Sequence, residues 1–435
     1  MTPGLLSGYF QHLQEFPAWR WEGSVSNVVG QVVESVGPIC SVGEACEIVD
    51  REGNRFPGEI VGFRGPNVLS MPLDKPSGIR FGDRIFTWGS TPSVAVGDEL
   101  LGRVLDGNLK PIDNLGQCQP SGTWDLDNSA PSPMDRVPIR EPLGCGIRAI
   151  DGFMSCGRGQ RIGIFGGSGV GKSTLIGMMT RGTAADLTVL ALVGERGREV
   201  GEFVEMLGTE GLMRSVVVAS TSDQSPLLRI RAAMAATAVA EYFASKGKNV
   251  LLVVDSLTRY AMAQREIGLA AGEPPTAKGY TPSCWNVLAR LVERAGQFNN
   301  GSITAFYTVL MEGDDQQDPL VDAVRSLVDG HIVLDRKLAA QGHYPPIHIL
   351  DSLSRLMSTV VDPEHQKKAQ EIRRYLAAYA RSEDLIRVGA YQKGADPVLD
   401  KAIVALPAIN AILQQTKDEK APLAQTVATL KAMTI

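Results

Sequence analysis

The residues with the most obvious chemistry lie in one octet, Gly166-Gly167-Ser168-Gly169-Val170-Gly171-Lys172-Ser173, spaced as G-x-x-x-x-G-K-[ST]. Glycines at that density let a backbone bend around phosphate oxygens with its N–H groups pointing inward. An apolar run, Arg161–Phe165, precedes the octet and a helix-forming stretch, Thr174–Thr180, follows it. The loop is therefore expected between a strand and a helix whose N-terminal end attracts anions. In that setting Gly167, Ser168, Gly169, Val170 and Gly171 wrap the phosphates and Lys172 reaches the β- and γ-phosphates. Ser173 would ligate Mg²⁺ and Thr174 would bond the α-phosphate. The loop implies nucleotide binding; it does not by itself imply hydrolysis.

Two acids bear on hydrolysis. Val250–Val254 is an apolar run that ends in Asp255. At a buried strand tip this carboxylate can hold a magnesium-bound water, or else be a solvated strand end. Leu187–Val193 ends in Gly194-Glu195-Arg196-Gly197-Arg198-Glu199. Ligands of open α/β sheets lie beyond the carboxyl ends of the strands, so Glu195 is expected to face the crevice that the phosphate loop faces. There it can orient and polarise an attacking water as general base. For Glu199 a solvated charge cluster is an equal alternative.

These residues need a scaffold, and the 435-residue chain is long enough for several domains. With 44% apolar and 21% charged residues it can bury a large core. Its net charge of −5 argues against a broad basic face for nucleic acid. Six scattered cysteines without a C-x-x-C pair fit reduced thiols in a cytoplasmic protein. The first Lys or Arg is Arg20, which does not suit a secretory signal, and no apolar run approaches a membrane span.

Residues 1–20 place Leu5, Leu6, Phe10, Leu13 and Phe16 near helical spacing, for a helix that packs on its own domain or meets a partner. Residues 21–95 alternate short β-branched runs (Val25–Val33, Ala45–Val49, Glu59–Phe63, Asn67–Pro72) with glycine-bearing turns, as a small all-β sandwich or barrel does. Within residues 96–360, a polar stretch at 113–138 reads as a linker or surface loop. Beyond it, strand runs alternate with helical patterns, the signature of a parallel sheet covered on both faces. Residues 361–435 read as helical, with Ile372, Leu376 and Tyr379 on one face.

Several strings together resemble the type III secretion ATPases, which are related to the catalytic subunits of rotary ATP synthases. They are Gly166–Thr174, Gly194–Val200, Asp255–Ala261, Gly272–Thr276, Gly301–Leu310 and Gly313–Pro319, in the family's order. Tyr260-Ala-Met-Ala-Gln-Arg-Glu-Ile and Asp314-Asp-Gln-Gln-Asp-Pro look flagellar, whereas Gly268-Leu-Ala-Ala-Gly-Glu also suits the injectisome branch. The resemblance departs from the family at Asn108–Asn114 and Thr281–Asn286, outside the chemistry.

The resemblance implies a RecA-like α/β P-loop NTPase core with an N-terminal β-barrel and a C-terminal helical domain. It implies an Mg²⁺-dependent ATPase that powers or regulates export of unfolded substrates through a flagellar-type apparatus, ATP and Mg²⁺ being bound together. Tyr344 matches the family's aromatic residue that stacks on adenine, which a flat Tyr ring suits, though a core Tyr pinned by Pro345 is the plainer alternative. Arg355 matches an arginine finger that enters a neighbouring subunit's site, which implies a homohexamer. Arg196 and Arg259 match positions near the site. Implied partners are a stator-like regulator at the N-terminal helix, a coiled-coil stalk at the acidic segment 313–319, export chaperones and substrates at the helical tail, and a membrane export gate. The implied location is cytoplasmic, against the inner face of the membrane.

Three other functions stay open at this point. One is an injectisome ATPase. A hexameric RNA translocase should pair basic residues with exposed aromatics in its small β-domain, but residues 22–95 carry nearly balanced charge. A non-catalytic rotary-synthase subunit should lack the acid that Glu195 supplies.

Overall fold

The computed structural model describes residues 19–311 and 318–433. The N-terminal helix and most of the acidic segment 313–319 lie outside the described residues.

The first folded unit is a closed barrel of six antiparallel-paired strands: Trp21–Val29, Val32–Val36, Ala45–Val49, Arg55–Arg64, Asn67–Pro72 and Arg84–Thr87. Val25, Val33, Ile48, Ile60, Val68 and Ile85 fill its interior. The apolar stretch Val25–Val33 is two strands rather than one, because Gly30 turns the chain at φ +61°. A β-hairpin turn needs that left-handed conformation, and glycine adopts it at little cost.

The central sheet runs in the order Leu353–Ser354, Gly330–Val333, Arg161–Gly166, Gly301–Leu310, Asn249–Asp255, Leu187–Glu195, Ser215–Thr221, Val104–Leu105. Neighbours along this path are parallel except the edge strand Leu353–Ser354. Its strands are buried on both faces, which is why they read as continuous apolar runs rather than alternating ones. Val189, Ala191 and Val193 point into one core, with Ala-rich helix Pro226–Ser245. Leu190 and Leu192 point into the other, with Leu175, Ile176 and Phe203. The helices behind that second face are Lys172–Gly182 and Gly197–Met213.

The polar stretch 113–138 is more structured than its composition suggests. Gly122–Asp125 pairs with Ser93–Val96, and Trp124 Nε1 donates to Glu241 Oε2 at 2.8 Å. Arg294, 3% exposed, forks onto the same carboxylate at 2.6 and 2.9 Å. A buried ion pair therefore fastens the connection to the core.

Helices Pro363–Arg387, Pro397–Leu413 and Leu423–Ala432 close the fold. Asp362 and Asp396 cap the first two by accepting backbone N–H bonds. His365 and Arg373 reach the carbonyls of Gly152 and Phe153, which fixes this layer against the nucleotide domain. Among the described residues, no helix is long and apolar enough to cross a membrane.

Candidate active site

Strand Arg161–Gly166 lies between Gly301–Leu310 and Gly330–Val333 and delivers the glycine loop to the carboxyl edge of the sheet. Gly169 (φ +76°) and Gly171 (φ +96°) both take the left-handed conformation as the loop turns into helix Lys172–Gly182. Lys172 is buried, and its Nζ donates to the carbonyls of Gly167 (2.8 Å) and Gly166 (3.2 Å). Burial lowers its pKa, while the nearby Asp255 and Glu195 pull it back up. Ser173 and Thr174, on the first turn of the helix, are exposed.

Asp255 ends its strand at 5% exposure and accepts from Thr308 Oγ1 at 2.6 Å. Burial raises its pKa; Thr308 and Lys172 oppose that rise. The next residue, Ser256, caps helix Leu257–Ala271 by accepting from the Arg259 N–H. Thr258 on that first turn receives the Leu310 N–H at 2.8 Å, which ties the helix to the strand beside the phosphate loop.

Glu195 is the last residue of its strand and is partly buried. Gly194 before it takes φ +68°, and a Cβ there would come within 3.0 Å of the Arg259 Cβ. Strand end and helix are thus in direct contact, and Arg259 Nε is buried without a partner. Burial, the Asp255 charge and neighbouring Glu199 push the Glu195 carboxyl up to about 8, against the pull of Arg259. Lys172, Asp255, Glu195 and Arg259 therefore form one electrostatic cluster. Arg196 has a side chain 78% exposed that pairs with Glu199 at 3.4 Å.

Tyr344 is half exposed, and its segment lies beside the phosphate loop: a Cβ on Gly171 would meet Pro346 Cδ at 4.0 Å. The Asp335 N–H bonds the Pro346 carbonyl at 2.8 Å, which holds the segment against the end of strand Gly330–Val333.

Arg355 is exposed and follows the edge strand, its N–H bonded to the Asp329 carbonyl at 3.0 Å. Ser354 pairs with Gly330, and Gly330 with Ile162. From Ile162 to Gly166 is about 13 Å along the strand, and two strand spacings add about 10 Å across, so Arg355 starts roughly 16 Å from its own phosphate loop. An extended arginine spans only about 7 Å. Within one protomer the two do not meet.

The residues that sequence reasoning missed are supports. Thr308 and Thr258 sit in an apolar strand and a helix start, and nothing in their local pattern distinguishes them from filler.

Residues 146–354 match the model of the ATP synthase alpha/beta family nucleotide-binding domain, and residues 25–86 match the beta-barrel domain of the same family. Residues 361–432 match the T3SS EscN ATPase C-terminal domain. A flagellum-specific ATP synthase of Bacillus subtilis is 50% identical over 422 residues, 96% of each chain. A type 3 secretion system ATPase of Xanthomonas euvesicatoria is 47% identical over 436 residues, 100% of this chain and 98% of that one. The assembled ATPase EscN from the type III secretion system of enteropathogenic E. coli superposes with a TM-score of 0.89 at 44% identity, covering 94% of this chain and 98% of that one. EscN in complex with its central stalk EscO superposes at 0.86 with 43% identity and the same coverage.

Proposed function

Because the chain belongs to the type III secretion ATPase family and is a type III export ATPase, we propose that it hydrolyses Mg²⁺-bound ATP at seams between identical protomers of a homohexamer. The observation that carries this reading is the meeting of Lys172, Asp255 and Glu195 at the carboxyl edge of the sheet, with Arg355 out of their reach.

In the proposed cycle the N–H groups of 167–171 cradle the phosphates, and Lys172 turns from the Gly166 and Gly167 carbonyls to the β- and γ-phosphates. Ser173 and Asp255 would hold Mg²⁺, and Thr174 would bond the α-phosphate. The site suits a divalent cation: Asp255, Glu195 and Glu199 lie together beside Lys172 and Arg259, and beyond burial the Asp255 charge raises the Glu195 carboxyl, a like-charge repulsion that a cation would relieve. Mg²⁺ keeps several waters and leans on substrate phosphates, so one or two protein oxygens are enough to hold it. When bound, Mg²⁺ neutralises charge on the β- and γ-phosphates. Glu195 orients the attacking water and accepts its proton, and Arg259 lies beside that carboxylate. Tyr344 stacks on adenine. Arg355 of one protomer reaches the γ-phosphate held by the next, so that closing a seam completes a site.

The proposed setting is a flagellar export apparatus at the inner face of the cytoplasmic membrane, supported by the flagellar strings around Tyr260 and Asp314 and by the flagellar relatives. A stalk is proposed to enter the ring because EscN is found with EscO. The N-terminal segment would meet a stator-like regulator, the helical tail export chaperones and their substrates, and the assembled ring the membrane gate.

Lys172→Ala should weaken nucleotide binding and abolish turnover, and Glu195→Gln should bind ATP but hydrolyse it at least ~10²-fold more slowly. Normal steady-state phosphate release by either variant would refute its assignment. Loss of the gene should stop filament assembly; a deletion strain with full-length filaments would move the proposal to an injectisome.

A further inference from the structure

The chain leaves helix Pro397–Leu413 through a segment, 414–419, that folds back onto the nucleotide domain beside Tyr344. Gln415 is its buried centre at 5% exposure. Its backbone N–H donates to the Tyr344 carbonyl at 2.9 Å. Its side-chain Oε1 accepts from the Arg148 N–H at 2.9 Å, and Nε2 donates to the carbonyls of Gly146 (2.8 Å) and Glu419 (3.0 Å). Around it, the Arg148 guanidinium holds the carbonyls of Ile412 (2.9 Å) and Gln414, and Gln414 Nε2 lies 3.4 Å from His343 Nδ1.

What Gln415 connects is more telling than how many bonds it makes. Gly146 is pressed against the end of helix Lys172–Gly182, so closely that a Cβ on it would lie 2.7 Å from the Gly182 Cα. That helix begins with Lys172 of the phosphate loop. A continuous run of contacts therefore leads from the phosphate cradle down the helix to Gly146, through the Gln415 amide, and up to Tyr344. Among the described residues the Tyr344 hydroxyl has no hydrogen-bond partner, and its ring is half exposed. The ring's height above the phosphates is set by its backbone, and Gln415 holds that backbone from the side of the helical domain.

We infer that Gln415 is a positioning residue that fixes the spacing between the phosphate cradle and the purine platform, so that a nucleoside triphosphate is held by base and phosphates together. The inference rests on Tyr344 being that platform. Gln415 touches neither the base nor the reacting atoms and acts through the Tyr344 carbonyl and the Gly146 anchor. Loss of the anchor releases the base end of the site and leaves the phosphate end intact.

The test uses the full chain with Gln415→Ala, Gln415→Glu and Tyr344→Ala, singly and with each Gln415 change in the Tyr344→Ala background. Gln415→Glu keeps the acceptor for Arg148 and loses the donor to Gly146, and it serves where the alanine variant does not fold. A ribose-labelled fluorescent ATP is displaced by ATP or by inorganic triphosphate, which has no base. The expected result is a roughly five- to fiftyfold weaker competition by ATP in the Gln415 variants, the scale of a lost base stack. Competition by triphosphate stays within about twofold, KM for ATP rises more than kcat falls, and Gln415 changes add little once Tyr344 is alanine. Equal weakening of ATP and triphosphate overturns the inference, because it marks general loss of structure. Unchanged ATP binding in the Gln415 variants overturns it alone if Tyr344→Ala still weakens ATP. Unchanged ATP binding in Tyr344→Ala removes the platform reading and the inference with it.

Discussion

Mixing two inactive variants should regenerate activity. Arg355 starts roughly 16 Å from its own phosphate loop by strand count, about twice the reach of its side chain. If it serves a nucleotide at all, it serves the one bound by a neighbour. Arg355→Ala protomers keep an intact phosphate loop, and Lys172→Ala protomers keep an intact finger. In a random equal mixture, a seam combines the first with the second in half of one half of cases, about a quarter of all seams. Removing a finger costs about 10³–10⁵ in rate, so each parent alone should be near the blank. The mixture should then recover up to about a quarter of native turnover, roughly 250 to 25,000 times either parent, with a maximum at equal proportions. The assay is steady-state phosphate release across a series of mixing ratios, with co-assembly confirmed by native mass measurement. A mixture that stays at the weighted mean of its parents, despite confirmed co-assembly, would show that no site is shared.

Three further outcomes follow from charge and burial. Glu195 must lose its proton to act as a base and holds it up to about pH 8 in the free protein. Hence kcat/KM should climb with pH through that region, while kcat, measured with cation and phosphates in place, should climb at lower pH; a flat kcat/KM between about pH 6 and 9 would exclude Glu195 as the titrating base. Glu59, facing a cavity of about 250 Å³ between barrel and core that Arg231 and Asp127 also line, has its carboxyl raised by burial from 4.5 to about 7. Its proton is held more tightly in the folded state, so the native chain should lose at most ~3 kcal/mol as pH rises through 4.5 to 7, and less where solvent in the cavity screens the carboxylate. Glu59→Gln should therefore stabilise the protein more at about pH 8 than at about pH 5 in denaturation midpoints, and equal gains at both would refute the burial argument. Glu241→Ala strands Arg294 at 3% exposure and should cost ~3–5 kcal/mol, readable as a lower melting temperature, whereas a shift too small to measure would mean that the pair is solvated.

The parts legible in the sequence were those whose physics is local. The strand before the phosphate loop, the loop itself and the helix after it are contiguous, and the anion site needs no residue from elsewhere. Asn67–Pro72 and Ala45–Val49 occupy the spans that their β-branched runs suggest, because strand length is set by turn residues next to them. The break at Gly30 was hidden since apolar residues continue on both sides of a turn that one glycine makes. Trp124 looked like part of a polar connection because its partner, Glu241, lies more than a hundred residues away and is itself held by the still more distant Arg294.

The same distinction separates the groups that would touch ATP from the groups that hold them. Asp255 and Glu195 announce themselves by lying at the ends of apolar runs, where a charge has no packing reason to be, and Lys172 by closing a glycine-rich octet. Thr308, Thr258 and Gln415 satisfy backbone or carboxylate groups brought near only by folding, and any threonine or glutamine looks the same beforehand. Arg355 is the instructive middle case. Its motif is readable, yet its own protomer gives it nothing to act on: the strand order puts it two strands across from the phosphate loop and at the opposite end of the sheet. If Arg355 is the finger proposed above, a geometry that keeps this cation away from the phosphate loop until a neighbour closes would make hydrolysis depend on assembly, and an isolated protomer would hold ATP without hydrolysing it.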